Sequence, residues 1–183
     1  MTKISFPLVL LLTGMVASLG QAQAPASNYE HLKPLEWLIG EWVWESTADE
    51  AITGVAEVGD KVTGSLQCEW QLDKNIIASR IQVVANGVTI FDFRGTVGYD
   101  RAAKQIIGRS FDSLGGSGQS VYTKSGDEWH IKASGANPEG KRTTGTTVVS
   151  NISKDGFRVQ AIEQTEDGQD LEDEDAIELT RKK

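Results

Sequence analysis

The chain has 183 residues with 18 basic and 26 acidic side chains, a formal net charge of −8 and a mean hydropathy of −0.29. A surface of that sign repels phosphate backbones and anionic bilayers, which excludes nucleic-acid and membrane-surface partners as first readings. One cysteine, Cys68, excludes an intramolecular disulfide, so stability has to come from packing.

The N-terminus holds Lys3, an apolar run from Ile4 to about Leu19, and then small residues at Ala22, Ala24 and Ala26. That order is the pattern of a secretory signal peptide, with cleavage expected between Ala22 and Ala26. The run is short for a bilayer span and is interrupted by Pro7 and Gly14, and no cysteine follows it to carry a lipid. The expected organisation is a leader over 1–24 and one domain over 25–183, periplasmic or secreted, with no membrane attachment after cleavage. About 160 residues suffice for a single domain with one core.

From Asn28 to Ile39 the apolar residues Tyr29, Leu32, Leu35, Trp37, Leu38 and Ile39 suit one or two helical turns lying across a barrel opening. Gly40 ends that segment. Beyond it, apolar and polar residues alternate in short runs separated by turn residues, the pattern of an all-β sandwich or barrel. Asn86-Gly87 between two β-rich runs is the strongest hairpin signal, and Gly59-Asp60, Gly126-Asp127, Asp155-Gly156 and Asp167-Gly168 repeat the theme. About ten strands are predicted, over 40–46, 52–58, 61–72, 76–85, 88–99, 104–112, 118–124, 128–135, 142–151, 156–164 and 174–181, the first or last being split. No connection is long enough for a crossover helix, so neighbours in sequence pair as neighbours in space. Closure solves the edge problem of such a meander, and the predicted fold is an antiparallel up-and-down barrel with a short N-terminal helical cap. Eight strands leave an interior just filled by side chains or one small ligand, so ten leave space inside.

Leu35-Glu36-Trp37-Leu38-Ile39-Gly40-Glu41-Trp42 resembles the opening of lipocalin-like, calycin-type barrels, in which a short helix leads into a Gly-x-Trp first strand. Gly95-Thr96-Val97-Gly98-Tyr99-Asp100-Arg101-Ala102-Ala103-Lys104 with Ser110-Phe111-Asp112-Ser113 is similar to bacterial domains of that group found alone behind signal peptides or fused to SnoaL-like domains. The segment from Asp167 to Lys182 fits their last hairpin. The resemblance spans nearly the whole chain beyond the leader and carries no catalytic residues. It implies that Arg181, on the last strand, packs against Trp42 on the first and closes the barrel structurally.

Residues able to carry chemistry are few. His130 alternates with Trp129 and Ile131, so it faces solvent if those two face the core, and His31 lies in the cap segment. Nitrobindin-like barrels, which share the build, hold haem through a histidine near the C-terminus, and 155–183 contains none. Cys68 shares its parity with Leu66, Trp70 and Leu72 and reads as a buried thiol. Two histidines and one cysteine make no usual zinc set. Gly168 falls at the wrong place for a calcium loop, so the acidic run from Glu163 to Glu178 reads as a solvated face. Gly115-Gly116-Ser117-Gly118 lacks a following helix and lysine, and reads as a hairpin loop rather than a phosphate cradle. No hydrolase elbow surrounds Ser117. No cofactor is expected.

Parity sketches the interior. Phe91, Phe93, Gly95, Val97 and Tyr99 share one face of a strand, and Arg109 shares a face with Ile107 and Phe111. An inward Arg109, or an inward Arg80 beside Ala78 and Gln82, would need a carboxylate from the protein or the ligand. The candidate ligand-binding residues are therefore Arg80, Phe91, Phe93, Tyr99, Arg109, Phe111, Trp129 and His130. The leading expectation is an exported barrel that binds a small, partly apolar molecule. The alternatives are a cofactor-free isomerase or lyase of small lipid or polyketide-like substrates, using His130 or a cavity carboxylate, and an interaction domain with a filled barrel.

Overall fold

The computed structural model describes residues 27–48 and 51–183. The leader expected over 1–24 lies outside the described residues. A helical turn α1 (Tyr29–Leu32) and a 3-10 turn (Lys33–Leu38) precede β1 (Gly40–Thr47). Then follow β2 (Lys61–Gln71), β3 (Ile76–Ala85), β4 (Val88–Asp100), β5 (Gln105–Asp112), β6 (Ser117–Ser125), β7 (Glu128–Ala136), β8 (Arg142–Ser150), β9 (Gly156–Glu166), β10 (Gln169–Asp170) and β11 (Ile177–Arg181).

Each strand from β1 to β9 pairs antiparallel with the next, and β11 then bridges β9 to β1. The ring is thereby closed, an all-β up-and-down barrel of ten positions with a helical cap, as the alternation predicts. β10 and β11 lie along the same flank of β9 and share the tenth position. Closure at β1–β11 removes the long free edges an open sheet would present, with the pairing at the seam confined to Trp42 and Val43 of β1.

The tight turns follow their residues. Asn86 and Gly87 have φ of 48° and 80°, the two positive values a type I′ hairpin needs. Two expected strands are corrected. Over 52–58 the chain forms a turn held by a single Ile52 to Ala56 bridge, because Thr53-Gly54 reverses it before a ladder can grow. The last strand starts at Ile177 rather than 174. Glu163 bulges out of β9 at φ 53°, and the Asp173 carboxylate accepts the Glu163 N–H at 2.8 Å in place of a ladder bond. Part of the acidic run thus has a structural task beyond solvation.

Odd-numbered strands run from the cap end toward the opposite mouth and even-numbered ones return, up to β9. The cap is fastened at three places. Asn28 N–H donates to Asn75 Oδ1 at 2.7 Å in the β2–β3 turn, His31 stacks on Tyr99 of β4 at 3.7 Å, and Trp42 Nε1 donates to Leu38 O at 2.8 Å. Leu32 and Leu35 are wholly buried and join Trp42, Ile77, Trp129, Phe157 and Leu179 in the main core. A four-residue helix cannot stand alone, so these contacts hold it.

At the seam, Trp42 faces Arg181 across the β1–β11 ladder, and the Arg181 guanidinium carbon lies 3.9 Å from the Trp42 ring centroid. Arg181 donates from Nε to Lys154 O at 2.7 Å, from Nη1 to Ile39 O at 3.0 Å and from Nη2 to Trp37 O at 3.5 Å. Gly40, at φ 133°, makes room, since a Cβ there would overlap Nη1. Arg181→Ala is expected to lower the denaturant-measured stability by about 2–3 kcal/mol, from lost charged hydrogen bonds and the ring contact. Gly40→Ala also destabilises, and the double variant loses less than the sum because removing the guanidinium vacates the space the methyl needs. Strict additivity would show that the two residues do not share one site.

Candidate functional site

Inside the barrel, beneath the cap, lies a cavity of about 370 Å³. It falls at the lower end of the roughly 300–1,000 Å³ typical of small-molecule sites. Its wall is aromatic and aliphatic, with Trp37, Trp44, Phe91, Phe93, Trp129 and Phe157 as the large contributors. Four polar side chains interrupt it, Cys68, Ser79, Tyr122 and Thr147. No Asp, Glu, Lys, Arg or His is among the described residues that line it.

The void has a steric origin. The inward positions of β3 to β8 include Ser79, Gly95, Gly108, Ser110, Gly118, Ser120, Ala133, Gly135 and Gly145, too small to reach the barrel axis. Large side chains come from the other wall, where Trp44 lies over Gly64 so closely that a Cβ on Gly64 would overlap its ring. Away from the cap the cavity adjoins a more polar mouth of about 390 Å³, with Phe91 and Thr147 lining both. Ser110, Asp112, Asn137 and Gln164 contribute to this mouth. Asp112 accepts the N–H groups of Leu114 and Gly116 at 2.9 and 3.0 Å, so the glycine-rich loop at the rim is tied down by its own carboxylate.

The expected site residues divide. Phe91, Phe93 and Trp129 line the cavity. Tyr99 faces inward under the cap, where His31 covers it. Arg80, Arg109, Phe111 and His130 do not line the cavity, which corrects the sketch. Arg80 is on the outer wall because Ser79 and Ile81 point in. Its Nε donates to Asp92 Oδ1 at 3.0 Å, a second contact joins Nη2 to Oδ2, and this hydrogen bonding holds the Asp92 carboxyl below the usual range. Arg109 bonds Gln119 Oε1 at 3.0 Å on the outside, since Gly108 and Ser110 take the inward places, and Phe111 beside it is 71% exposed. His130 is outward next to buried Trp129, with Nε2 3.5 Å from Glu128 Oε2. Parity alone could not say which face of β5 was inward. Ile107 and Phe111 suggested the wrong one, whereas the small residues opposite them were the inward set.

Sequence reasoning missed Trp37, Trp44, Ser79 and Tyr122 as cavity residues. For Trp44, Ser79 and Tyr122 the signal was the inward parity of their strands, which Leu66, Cys68 and Ile131 share, whereas Trp37 lies in the 3-10 turn of the cap and has no such parity. Trp37 Nε1 is buried without an acceptor among the described residues, a cost of about 1–3 kcal/mol to the cap.

The ionisable groups of the wall are Cys68 and Tyr122. Burial pushes the Cys68 thiol up to about 12 and the Tyr122 hydroxyl up to about 12. Both are protonated near neutral pH, so neither supplies the base that the isomerase or lyase alternative requires. The haem alternative fits no better, because His130 is outside and Cys68 is held as a thiol rather than a thiolate. Among the described residues no group of three or more His, Cys, Asp or Glu side chains could hold a metal ion, and no helix is long and apolar enough to cross a membrane.

No family model and no curated protein matches the sequence. Among solved structures, the crystal structure of Rv2717c from M. tuberculosis aligns with a TM-score of 0.57 and 18% identity, covering 83% of this chain and 97% of that one. That likeness speaks for the fold. The structure of EF1p2_mFAP2b bound to DFHBI aligns at a TM-score of 0.33 and 15% identity over 80% of this chain and 91% of that one, too low to bear on either fold or site. The shared fold is an antiparallel up-and-down barrel, here with a short N-terminal helical cap.

An unfolded chain loses its thiol proton at the ordinary value of 9.0, whereas the folded chain keeps it up to about 12. Stability from this group is complete below pH 9 and declines as the pH rises toward 12. Cys68→Ala should flatten the fall in denaturant stability between pH 9 and 12 relative to the parent. Parallel curves for the two proteins would show that the thiol is not buried.

Proposed function

We propose that this chain is an exported binding barrel for a small, largely apolar molecule, delivered to the periplasm or the medium by the leader over 1–24. It belongs, on this reading, with the bacterial lipocalin-like domains that occur alone behind signal peptides or fused to SnoaL-like domains. The observation that carries the proposal is the apolar cavity of about 370 Å³ inside the barrel, beside a more polar mouth. A filled barrel, built only to present its surface, has no use for such a void, which forfeits packing.

Burying about 300 Å² of apolar ligand surface contributes about 7 kcal/mol before the cost of association, which sets a micromolar scale. Trp37, Trp44 and Trp129 line the space and report its occupancy. Titration of the tryptophan fluorescence with long-chain alcohols, fatty acids, phospholipids and porphyrins is expected to give a saturable change with at least one class. Val83→Phe, which sets a larger ring into the cavity wall and narrows the space, should weaken ligand affinity at least tenfold. No response to any class would remove the proposal.

A further inference from the structure

We infer that the cavity selects uncharged hydrophobes, such as alcohols, ketones or arylamines, and rejects their carboxylate and sulfonate counterparts. This rests on the small-molecule reading above and adds to it the chemical class of the ligand. Three observations converge on it.

First, the cavity wall has no cationic side chain among the described residues, and its polar groups are a thiol, two aliphatic hydroxyls, a phenol and tryptophan indoles. Of the indoles, the Trp37 N–H is buried without an acceptor among the described residues and suits a neutral carbonyl or hydroxyl oxygen. An anion there would be taken out of water without a partner, at a cost of several kcal/mol. Hydroxyl groups, by contrast, satisfy a neutral oxygen or nitrogen.

Second, the mouth itself carries one ionisable side chain among the described residues, the carboxylate of Asp112, amid Ser, Thr, Asn, Gln, small residues, Phe91 and Leu114. Arg109 and Arg142 line an adjoining outer pocket that shares Ser110, Gly118 and Thr143 with the mouth, and neither arginine lines the mouth or the cavity. An anionic head group left in the mouth would meet a like charge.

Third, the arginines that a carboxylate ligand would use are turned away. Arg80 is spent on Asp92, and Arg109 bonds Gln119, both on the outer wall. Arg181, though inward, donates to the carbonyls of Lys154, Ile39 and Trp37 at the cap seam and does not line the cavity.

The test compares N-phenyl-1-naphthylamine with 8-anilinonaphthalene-1-sulfonate, two fluorophores that share one skeleton and differ by an anionic group. The full chain beyond its leader should bind the neutral probe with micromolar affinity and the sulfonate at least tenfold more weakly. 1-Decanol should displace the neutral probe, and decanoate at pH 8 should not. Thr143→Lys, which adds a cation at the mouth, should narrow the gap between the two probes at least fivefold while leaving neutral-probe affinity within twofold. Val83→Phe assigns the signal to the cavity, since binding that survives it comes from outer apolar patches. Equal affinities for the two probes, both lost in Val83→Phe, would overturn the charge selection and leave the binding function standing. Failure of both probes and of 1-decanol to bind would overturn the function with it.

Discussion

Three separate parts of the chain meet at the guanidinium of Arg181. It lies on the Trp42 ring of the first strand, has no carboxylate partner among the described residues, and donates to the carbonyls of Trp37 and Ile39 in the cap and of Lys154 in the β8–β9 connection. A ring of strands has one seam where its first and last members must find each other across nearly the whole sequence. Contacts of such long separation are entropically costly to form and are made here over a five-residue strand. The fixed, planar fork of an arginine suits the place, because it can hold several carbonyls at once where the point charge of a lysine could not. Gly40 is the complement of Arg181, both by its backbone and by the side chain it lacks.

Closure at that end decides where a ligand can go. The cap buries Leu32 and Leu35 in the main core and stacks His31 on Tyr99, so one opening is blocked. The opposite opening is ringed by inward glycine, alanine and serine from β5 to β8, which cannot reach across. Aromatic residues of β1, β4, β7 and the cap supply the wall between the two ends. The void is therefore a consequence of how large and small inward residues are apportioned, with Trp44, Phe93 and Trp129 around the cavity and Gly108, Ser110, Gly118 and Gly135 toward the open end.

Much of the architecture was legible because the signals were local. Alternation over β2, β3, β4 and β7 gave strands within a residue or two of their limits, and Asn86-Gly87 announced its hairpin. The segment over 52–58 misled because its apolar residues alternate by chance around a turn. The site was less legible. Parity assigns residues to two faces but does not say which face is inside, and on β5 the bulky Ile107 and Phe111 lie outward while Gly108 and Ser110 lie inward. On β5, which borders the mouth, the inward side is the one with Gly108 and Ser110, the reverse of the rule for a packed core. Arg109 was drawn to the interior by its bulky neighbours, whereas Arg80, between Ala78 and Gln82, had no such signal.

The wall chemistry follows from that geometry. With Arg80, Arg109 and His130 on the outer face, Arg181 held at the cap seam, and Cys68 and Tyr122 held protonated by burial, the cavity wall offers apolar contact and a few hydroxyl and indole groups. The central claim is that this interior is an empty apolar space rather than a packed core. A crystal of the protein pressurised with xenon tests it most directly, because the gas occupies dry apolar cavities. The account predicts a xenon peak enclosed by Trp44, Phe93 and Trp129. A barrel whose side chains meet across the axis, with no peak inside, would contradict it.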